Sequence, residues 1–488
     1  MKFPANTPLI SRLRIGFAMN IKMSLLVALI VSGLAGCTLA PEYSRPNAPI
    51  PAAWPTGEAY GEAMPDGDVA TISWREFFTD RRLRQVIETA LDHNRDLRLA
   101  VLNVERARAI YGIQRAELLP SVNASGSMSR ERVPADLSTT GQARTSERYD
   151  VGLGVSAWEL DFFGRIRSLK DQALEQYLAT DEARRSAWIL LVSSTAQAYL
   201  LLAADRDTLE TAAATLESQE AARRLIRKQY DLGIASELDL KRAETQVESA
   251  RVEVARWTQV TAQDINALTL LAGVSLPEDL LPTGLAGVAG PREPSAGLSS
   301  EILLRRPDIL AAEHLLKASN ANIGAARAAF FPRISLTATV GTASADLSDL
   351  FKGGQGVWSF VPRIAVPIFD ARTWAAYEVT KADRDIAIAE YEKAIQEAFR
   401  EVADALAVRG SVEKQIASQD ALVEAVAQTY RLSRIRYNSG LDSYLSVLDA
   451  QRSLYGAQQK LTSLRLLRVA NRVTLYQVLG GGIGEERR

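Results

Sequence analysis

Two long stretches of this chain almost lack the residues that end helices, and this constrains the fold more than any other feature. Between Gly164 and Gly273 there is no proline and a single glycine, Gly233, and no proline follows Pro367. Inside a helix, proline costs about 3 kcal/mol and glycine about 1 kcal/mol relative to alanine. The sequence therefore predicts two helical hairpins. Their helices are expected over 165–232 with a return to Ala272, and over 371–438 with a return to Leu479.

Helices of this length do not suit a compact core. At about 1.5 Å per residue, a helix over 165–232 is roughly 100 Å long, so the hairpins are expected to form walls or rods. Hydrophobic residues recur every seven positions in the second hairpin, which is typical of paired antiparallel helices. Gly410 and Gly456 are candidate bends. One heptad series consists of Ile416, Val423, Tyr430 and Tyr437.

The chain also repeats itself. The string RAELLPSV at 115–122 coincides with RAAFFPRI at 327–334, at an offset of 212 residues. Further on, YDLGIASELDLKRA at 230–243 coincides with YNSGLDSYLSVLDA at 437–450, at an offset of 207 residues. Such self-similarity indicates a duplicated structural unit. We therefore predict one unit that is written twice along the chain.

After Pro120, and again after Pro332, the hydrophobic period changes from helical to two, which indicates strands. Two strands are predicted in each repeat, with hydrophobic residues on one face and small or polar residues on the other. This pattern is typical of an outer-membrane barrel, and an ordinary antiparallel sheet packed on helices shares it. In the second strand the predicted hydrophobic set is Tyr149, Val151, Leu153, Val155 and Ala157.

The number of strands limits how this sheet could enter a membrane. An open sheet edge cannot lie in hydrocarbon, and membrane barrels begin at about eight strands, so four strands cannot close by themselves. A dimer would supply eight strands around an interior largely filled by side chains, whereas a trimer would supply twelve and a lumen. If three copies share one barrel, their hairpins would continue it as a tunnel of about 100 Å.

The amino terminus carries a secretory signal. The apolar run SLLVALIVSGLAGC ends at Cys37, the only cysteine, and follows basic residues; it is shorter than the roughly 20 residues of a membrane-spanning helix. The end LAGC resembles the lipobox of bacterial lipoproteins. This resemblance predicts that the chain is cleaved before Cys37 and that Cys37 carries a diacylglycerol and an N-acyl chain. The alternative is a signal peptide with an incidental cysteine. Translation could start at Met1, Met19 or Met23.

Charge and motifs exclude several classes of function. Cleavage before Cys37 removes four basic residues and no acid, so the net charge falls from −1 to −5, which does not suit nucleic-acid binding. One cysteine permits no intramolecular disulfide and no cysteine-based metal site. The sequence contains no G-x-S-x-G and no phosphate loop, and its only histidines, His93 and His314, have no metal-ligand spacing. We therefore predict a protein that is not an enzyme and has no cofactor besides its acyl chains.

Several long strings resemble the TolC superfamily of outer membrane factors, in its lipoprotein branch, over nearly the whole mature chain. This resemblance implies an α+β membrane protein with an internal two-fold structural repeat. Its homotrimer would form a twelve-stranded outer-membrane β-barrel, four strands per protomer, continued by a long periplasmic α-helical barrel with a mixed equatorial domain. The strings are CTLAPEYSRPNAP, WREFF, AWELDFFGRIRSLKDQALEQYLAT, RRPDIL, GAARAAFFP and YLSVLDAQRSLY.

The resemblance also implies partners and a function. A periplasmic adaptor (membrane fusion) protein would join the trimer to an inner-membrane transporter of the resistance-nodulation-division class. The chain would be anchored in outer-membrane lipid and would serve as the passive exit duct for antibiotics and other amphiphilic compounds. An exit duct for a protein secretion system is the alternative, because such a duct does no selecting chemistry that the sequence could reveal.

The family places a periplasmic gate at the turn ends of the helical hairpins. By position, the constricting residues are Leu445 and Asp449, four apart on one helical face. Tyr437 matches a tyrosine that latches the closed state, and Asp239 matches an acid of the first hairpin. Asp442 departs from the TolC pattern, which has an arginine there. Without the resemblance, Leu445 would be interpreted as packing and Asp449 as a solvated surface acid.

These observations predict the following organisation along the chain. The signal peptide covers 1–36, a lipidated extended segment 37–78, the first repeat 79–290, the second repeat 291–482 and a tail 483–488. Within the repeats, each begins with a helix, strands are expected over 121–133, 146–160, 333–343 and 357–367, and the helical hairpins over 165–272 and 371–479.

Overall fold

The computed structural model describes residues 38–61, 72–293 and 299–482. These residues form two compact units, and each unit takes segments from both predicted repeats. The first unit contains 38–45, 107–177 and 314–388, and the second contains 46–61, 72–106, 178–293, 299–313 and 389–482.

Helices make up most of the described chain. The four longest contain 67, 36, 68 and 35 residues, and their bounds lie within one residue of the helix ends predicted from proline and glycine. The α-helices are α1 (Trp74–Phe77), α2 (Arg81–His93), α3 (Arg95–Ala116), α4 (Arg165–Asp231), α5 (Glu237–Ala272), α6 (Pro307–Ala328), α7 (Ala371–Asn438) and α8 (Tyr444–Val478).

The helix expected at the start of the first repeat is broken in two. Asn94 separates α2 from α3, and its side-chain oxygen accepts a hydrogen bond from the Leu97 amide at 2.9 Å. Its side-chain amide donates to the carbonyl oxygen of Leu271 at 2.9 Å. Asn94 therefore caps α3 and ties it to the end of α5, so two helices precede the first strand of this repeat.

Neither candidate bend interrupts a helix, since α7 continues through Gly410 and α8 through Gly456. At Gly410, a Cβ atom would collide with the backbone of the segment that includes Tyr60 and Gly61. Gly410 is therefore required for the close approach of an extended segment, because only a residue without a side chain leaves enough space.

The four strands form one antiparallel sheet with the order β1-β2-β3-β4. The central pairing, between β2 and β3, joins the two repeats. Among the described residues, the outer edges of β1 and β4 have no partner strand. The strands are β1 (Val122–Val133), β2 (Arg144–Leu160), β3 (Arg333–Ser344) and β4 (Gly356–Ala365).

The strand register separates the sheet into an apolar face and a polar face. Paired residues lie on the same face, and the pairs Ala124–Leu153, Leu153–Val340 and Val340–Trp358 run across all four strands on the apolar face. These side chains are open to the surroundings: Val340 is 62% exposed and Trp358 79%. The opposite, polar face carries Ser125, Ser127, Gly152, Gly154, Thr339, Gly341 and Ser359.

Glycine residues on the polar face of the sheet allow neighbouring strands to pack closely there. A Cβ atom on Gly154 would lie 2.7 Å from the Thr339 side chain, and one on Gly341 would collide with a carbonyl of the facing strand. Crowding on one face of a sheet is expected where the sheet curves toward that face, which barrel closure requires.

The predicted alternation fails near the end of β2. The register shifts between Val155 and Trp158, and Ala157 has φ = +50°, a left-handed conformation that is uncommon for a residue with a side chain. The irregularity is a β-bulge. As a result Trp158, paired with Leu336, lies on the apolar face, and the placement of Ala157 in the hydrophobic set is wrong.

Buried side chains of the helices form the core of the second unit. Tyr476 stacks on Phe77 with ring centroids 4.2 Å apart, and both side chains are fully buried. One 18-residue window of α4 reaches a mean hydropathy of 1.6, which by length and composition would suit a membrane span. However, 61% of this window is buried inside the protein. That burial identifies the window as part of the protein core.

Candidate functional site

The two helical hairpins reverse direction through the same local structure. Gly233 and Gly440 have φ of +74° and +72°, in the left-handed region that favours glycine. In each turn the amide of the next residue donates back across the helix end, from Ile234 to the Gln229 carbonyl at 2.8 Å and from Leu441 to the Arg436 carbonyl at 2.9 Å. These are glycine C-caps that satisfy the last carbonyls of α4 and α7.

In the first turn, Asp239 takes part in a reciprocal cap of α5. The side chain of Ser236 accepts a hydrogen bond from the Asp239 amide at 3.1 Å, and its hydroxyl donates to the Asp239 carboxylate at 2.6 Å. The arrangement satisfies a free amide and places a negative charge at a helix N-terminus. Within the protomer, Asp239 therefore stabilises its own hairpin; its role in a latch stays a prediction.

The second turn is built differently. Ser443 precedes α8 but its side chain accepts no capping hydrogen bond. Instead, the Arg436 guanidinium donates to both Asp442 carboxylate oxygens, at 2.5 and 3.3 Å. These hydrogen bonds lower the pKa of Asp442. Asp442, which stands where the family pattern has an arginine, is thus engaged with a cation of its own hairpin.

Tyr437 connects the ends of the two hairpins. Its hydroxyl donates to the Gln229 side-chain oxygen at 3.3 Å, and its ring lies 5.2 Å from the ring of Tyr444. Burial, with a smaller effect of Asp239, raises the pKa of Tyr437, and burial raises that of Tyr444 to about 12. Tyr437 packs against a cluster, hereafter the tip cluster, of Ile226, Leu240, Ala243, Tyr444, Val447 and Leu448.

Leu445 and Asp449 lie on the side of α8 that faces away from the tip cluster. Leu445 is 51% exposed although its neighbour Tyr444 is buried. The Asp449 carboxylate lies 3.3 Å from the Arg452 guanidinium, and both side chains are about three-quarters exposed, at 73% and 76%. The protomer therefore presents these residues to a surface of its own, as a pore constriction requires.

Two features of this region were not predicted. The contact between Tyr437 and Gln229 joins residues that are 208 positions apart, and no local pattern indicates it. The pairing of Asp449 with Arg452 could have been found, because residues three apart are neighbours on a helix.

The two histidines, His93 and His314, have separate partners and form no ligand pair. His314 lies 2.6 Å from the Glu175 carboxylate, and His93 bonds the carbonyl of Thr89. Among residues 38–61, 72–293 and 299–482, no group of three or more potential ligands could hold a metal ion.

Comparison with known proteins gives consistent matches over most of the chain. The family model described as "Outer membrane efflux protein" matches residues 86–274 and 298–481. The "Probable efflux pump outer membrane protein TtgC" of Pseudomonas putida is 50% identical over 456 residues, which cover 93% of this chain and 94% of that relative. "Outer membrane protein OprJ" of Pseudomonas aeruginosa is 43% identical over 470 residues, covering 94% and 96%.

Solved structures agree with these matches. The outer membrane channel MtrE of Neisseria gonorrhoeae, crystallised in its open state, has a TM-score of 0.81 and 38% identity, over 92% of this chain and 99% of that one. The sequence strings quoted above resemble the channel OprM in particular, and OprJ is likewise a Pseudomonas outer membrane protein.

Proposed function

Since this chain belongs to the family of outer membrane efflux proteins, we propose that it acts as a homotrimer, the passive exit duct of a three-component pump. The chain is a channel of the outer membrane that extends into the periplasm, a transport conduit of an efflux system. The proposal adds the number of copies, the partners, the compounds carried and the lipid anchor.

The four-stranded sheet carries the trimer proposal. Its apolar face is exposed in the protomer, and its two edge strands are unpaired among the described residues. In hydrocarbon, unpaired amide and carbonyl groups cost several kcal/mol each, so the sheet must close with other copies. Three copies supply twelve strands and an open lumen, and the polar face would line that lumen.

The gate follows from the same symmetry. A three-fold axis beside α8 would bring together three copies of Leu445 and of Asp449, which the protomer exposes on one helix face. Three leucines can close a bore to water, and three partly compensated carboxylates favour cations. Tyr437 and Asp239, near the tip cluster, would hold the closed state, and opening would require the hairpins to move outward.

An adaptor is the partner that would move them. Beside the gate residues, α4, α5 and α8 border an open groove of about 610 Å³. Its lining is mostly polar and includes Arg242, Arg256 and Arg452, each with an acid three residues before it. A groove of this kind suits a helical partner with its own charged side chains. The periplasmic adaptor would in turn connect the duct to a resistance-nodulation-division transporter.

The compounds carried are inferred from relatives. Their names attribute efflux of antibiotics, toluene and solvents to proteins that are 48 to 50% identical to this chain. We expect this duct to carry antibiotics and other amphiphilic compounds. Deleting its gene should therefore increase susceptibility to such compounds, and an unchanged susceptibility with altered secreted proteins would favour the secretion duct instead.

The lipid anchor would be Cys37, which lies outside the described residues. The chain just after it is fixed: the Leu39 carbonyl accepts from the Arg327 guanidinium at 3.1 Å, and the Pro41 carbonyl accepts from the Asn320 amide at 2.7 Å. Gly324 leaves the space for this segment, since a Cβ atom there would lie 2.7 Å from the Ala40 amide nitrogen. Intact mass spectrometry of the purified protein should show a mature chain that begins at Cys37 with a diacylglycerol and an N-acyl chain.

Light scattering in detergent tests the assembly. The expected particle contains three copies, and Leu153→Arg on the apolar face should prevent insertion, since an arginine at the bilayer midplane costs about 2 to 4 kcal/mol per site. Ser127→Arg, on the polar face of β1, is the matched control and should still insert. A monomer or dimer that inserts and conducts would contradict the trimer.

A further inference from the structure

Charged residues on the apolar face of the sheet occur at one end only. Along β1 this face carries Val122, Ala124, Gly126 and Met128 and then changes to Arg130 and Arg132. From these residues we propose that the outer rim of the barrel binds the phosphate groups of lipid A, the phosphorylated glycolipid of the outer leaflet. The inference rests on the proposed barrel, because it requires the apolar face to point toward lipid.

The register fixes the direction of the two arginines. Arg130 pairs with Glu147 and Arg132 with Thr145, in the same ladder in which Met128 pairs with Tyr149. Since side chains alternate along a strand, Arg130 and Arg132 lie on the same face as Met128. In the strands, the apolar face carries no charged residue besides these two arginines and Glu147.

These residues lie at the end of the sheet that faces out of the cell. The helices α3 and α6 lead into one end of the sheet, and α4 and α7 leave from that same end. The opposite end carries the connections 134–143 and 345–355, and the arginines precede the first of these. Because the helices belong to the periplasmic part of the channel, the arginines are on the outer-leaflet side.

The position of Arg130 and Arg132 along the membrane normal matches the lipid headgroup region. Ten residue steps separate Val122 from Arg132, which is about 34 Å along the strand and about 26 Å across a membrane at a tilt of roughly 40°. The apolar band of such barrels is about 25 Å tall. With Val122 at one border of the band, Arg132 lies at the other, where lipid phosphates are.

The two guanidinium groups differ in their availability. Arg130 lies 3.2 Å from the Glu147 carboxylate, and 65% of its side chain is exposed. Arg132 is exposed and its side chain has no hydrogen bond or ion pair within the described ranges. The facing residue, Thr145, is neutral. On the apolar face of its strands, each protomer therefore presents two arginines and one glutamate. The free guanidinium of Arg132 is a planar donor group, which binds phosphate with two parallel hydrogen bonds.

Lipid A explains why the charge occurs at this end alone. An exposed arginine beside Met128 on a lipid-facing surface must reach the interface, and at the outer rim the anionic groups there are the phosphates of the glycolipid. At the opposite end the apolar face ends in Ile334 and Ile364, which would meet the phospholipid leaflet with no cation. The sheet is thus matched to a membrane whose outer leaflet carries phosphate.

A binding experiment tests the proposal on the full-length trimer in detergent. Bisphosphorylated lipid A should raise the melting temperature of the wild type, whereas enzymatically dephosphorylated lipid A and phosphatidylglycerol should do so much less. The double variant Arg130→Gln/Arg132→Gln should bind bisphosphorylated lipid A about tenfold more weakly and should purify with less of it, as measured by mass spectrometry.

The matched control is Arg144→Gln, at the same rim but on the opposite face, where Arg144 pairs with Val133. It should leave lipid A binding unchanged. Equal binding by the double variant, an equal loss in Arg144→Gln, or equal stabilisation by phosphatidylglycerol would overturn the proposal. The double variant should still form a trimer by light scattering and should leave the drug susceptibility of cells normal. These two measurements distinguish a failure of the lipid A proposal from a failure of the proposed trimer or efflux function.

Discussion

Two aspartates inside the first hairpin make a specific prediction about pH. Asp205 on α4 and Asp264 on α5 are partly buried, and their carboxyl groups lie close to each other. Burial and this contact raise the pKa of Asp205 to about 7, and burial raises that of Asp264. Two carboxyl groups in this arrangement share a proton, because both cannot be charged without repulsion.

The sign of the effect follows from proton binding. An unfolded aspartate has a pKa of about 3.9, so between about pH 4 and pH 7 the folded protein holds a proton that the unfolded chain has released. The free energy of unfolding therefore falls as pH rises through this range, and the loss is complete above about pH 7. A difference of about three pH units corresponds to roughly 4 kcal/mol, which solvent screening at these half-exposed groups reduces to about 1 to 2 kcal/mol.

Asp205→Asn should remove this loss of stability between pH 4 and pH 7. The amide can donate permanently to the Asp264 carboxylate, so the variant should be more stable than the wild type at pH 8 by about 1 to 2 kcal/mol and nearly equal to it at pH 4. For a chain of this size, about 1 to 2 kcal/mol corresponds to a Tm higher by about 1 to 2 °C at pH 8. Melting followed by circular dichroism in detergent between pH 4 and pH 8 measures both values.

The control is Asp404→Asn, which changes a carboxylate on α7 whose side chain is 70% exposed. It should leave the pH dependence of Tm unchanged. The reasoning would be refuted if the wild type lost no more stability between pH 4 and pH 7 than Asp205→Asn, or if Asp205→Asn melted below the wild type at pH 8.

Three further predictions concern the gate and the sheet. Replacing Leu445 and Asp449 together by alanine should raise single-channel conductance in planar bilayers and sensitise cells to large antibiotics. Asp449→Asn alone should mainly reduce cation selectivity. An unchanged conductance of the double variant would place the constriction elsewhere. Tyr437→Phe removes the hydrogen bond to Gln229, worth about 0.5 to 1.5 kcal/mol per protomer, and should raise the open probability; a normal open probability would show that the bond does not hold the closed state. Gly341→Val should prevent trimer insertion, because its side chain would collide with the facing strand, and normal insertion would argue against the crowded polar face.

The long elements were predictable because their signals are local. The absence of proline, together with the glycines at 233 and 440, places the long helices and their turns, since each breaker acts on its own residue. Alternation likewise reveals the strands. The start of α3 after Asn94 was also readable, because Asn followed by a helical stretch is a capping signal.

What escaped prediction depends on distant partners. The bulge that leaves Ala157 in a left-handed conformation arises from the pairing of β2 with β3. At the bulge, the facing residues Ala157 and Thr337 are 180 positions apart, with both long helices of the first hairpin between them in the chain. The close contact at Gly410 escaped prediction for the same reason, because its need for space comes from the segment around Gly61. At the gate, Leu445 could be placed on an exposed helix face only once the packing of the tip cluster was known.

The two turns of the protomer differ in a way that bears on which hairpin opens. The first turn is fixed by the reciprocal cap of Ser236 and Asp239, a local arrangement worth about 1 kcal/mol that salt affects little. The second turn lacks a side-chain cap and depends on the pair of Arg436 and Asp442. This ion pair is exposed, so it contributes little to stability and weakens with salt. Leu445 follows this second turn directly. The proposed constriction is therefore carried by the hairpin end that costs less to deform, so a partner that pulls on the tips would move the proposed gate before it disturbed the first hairpin.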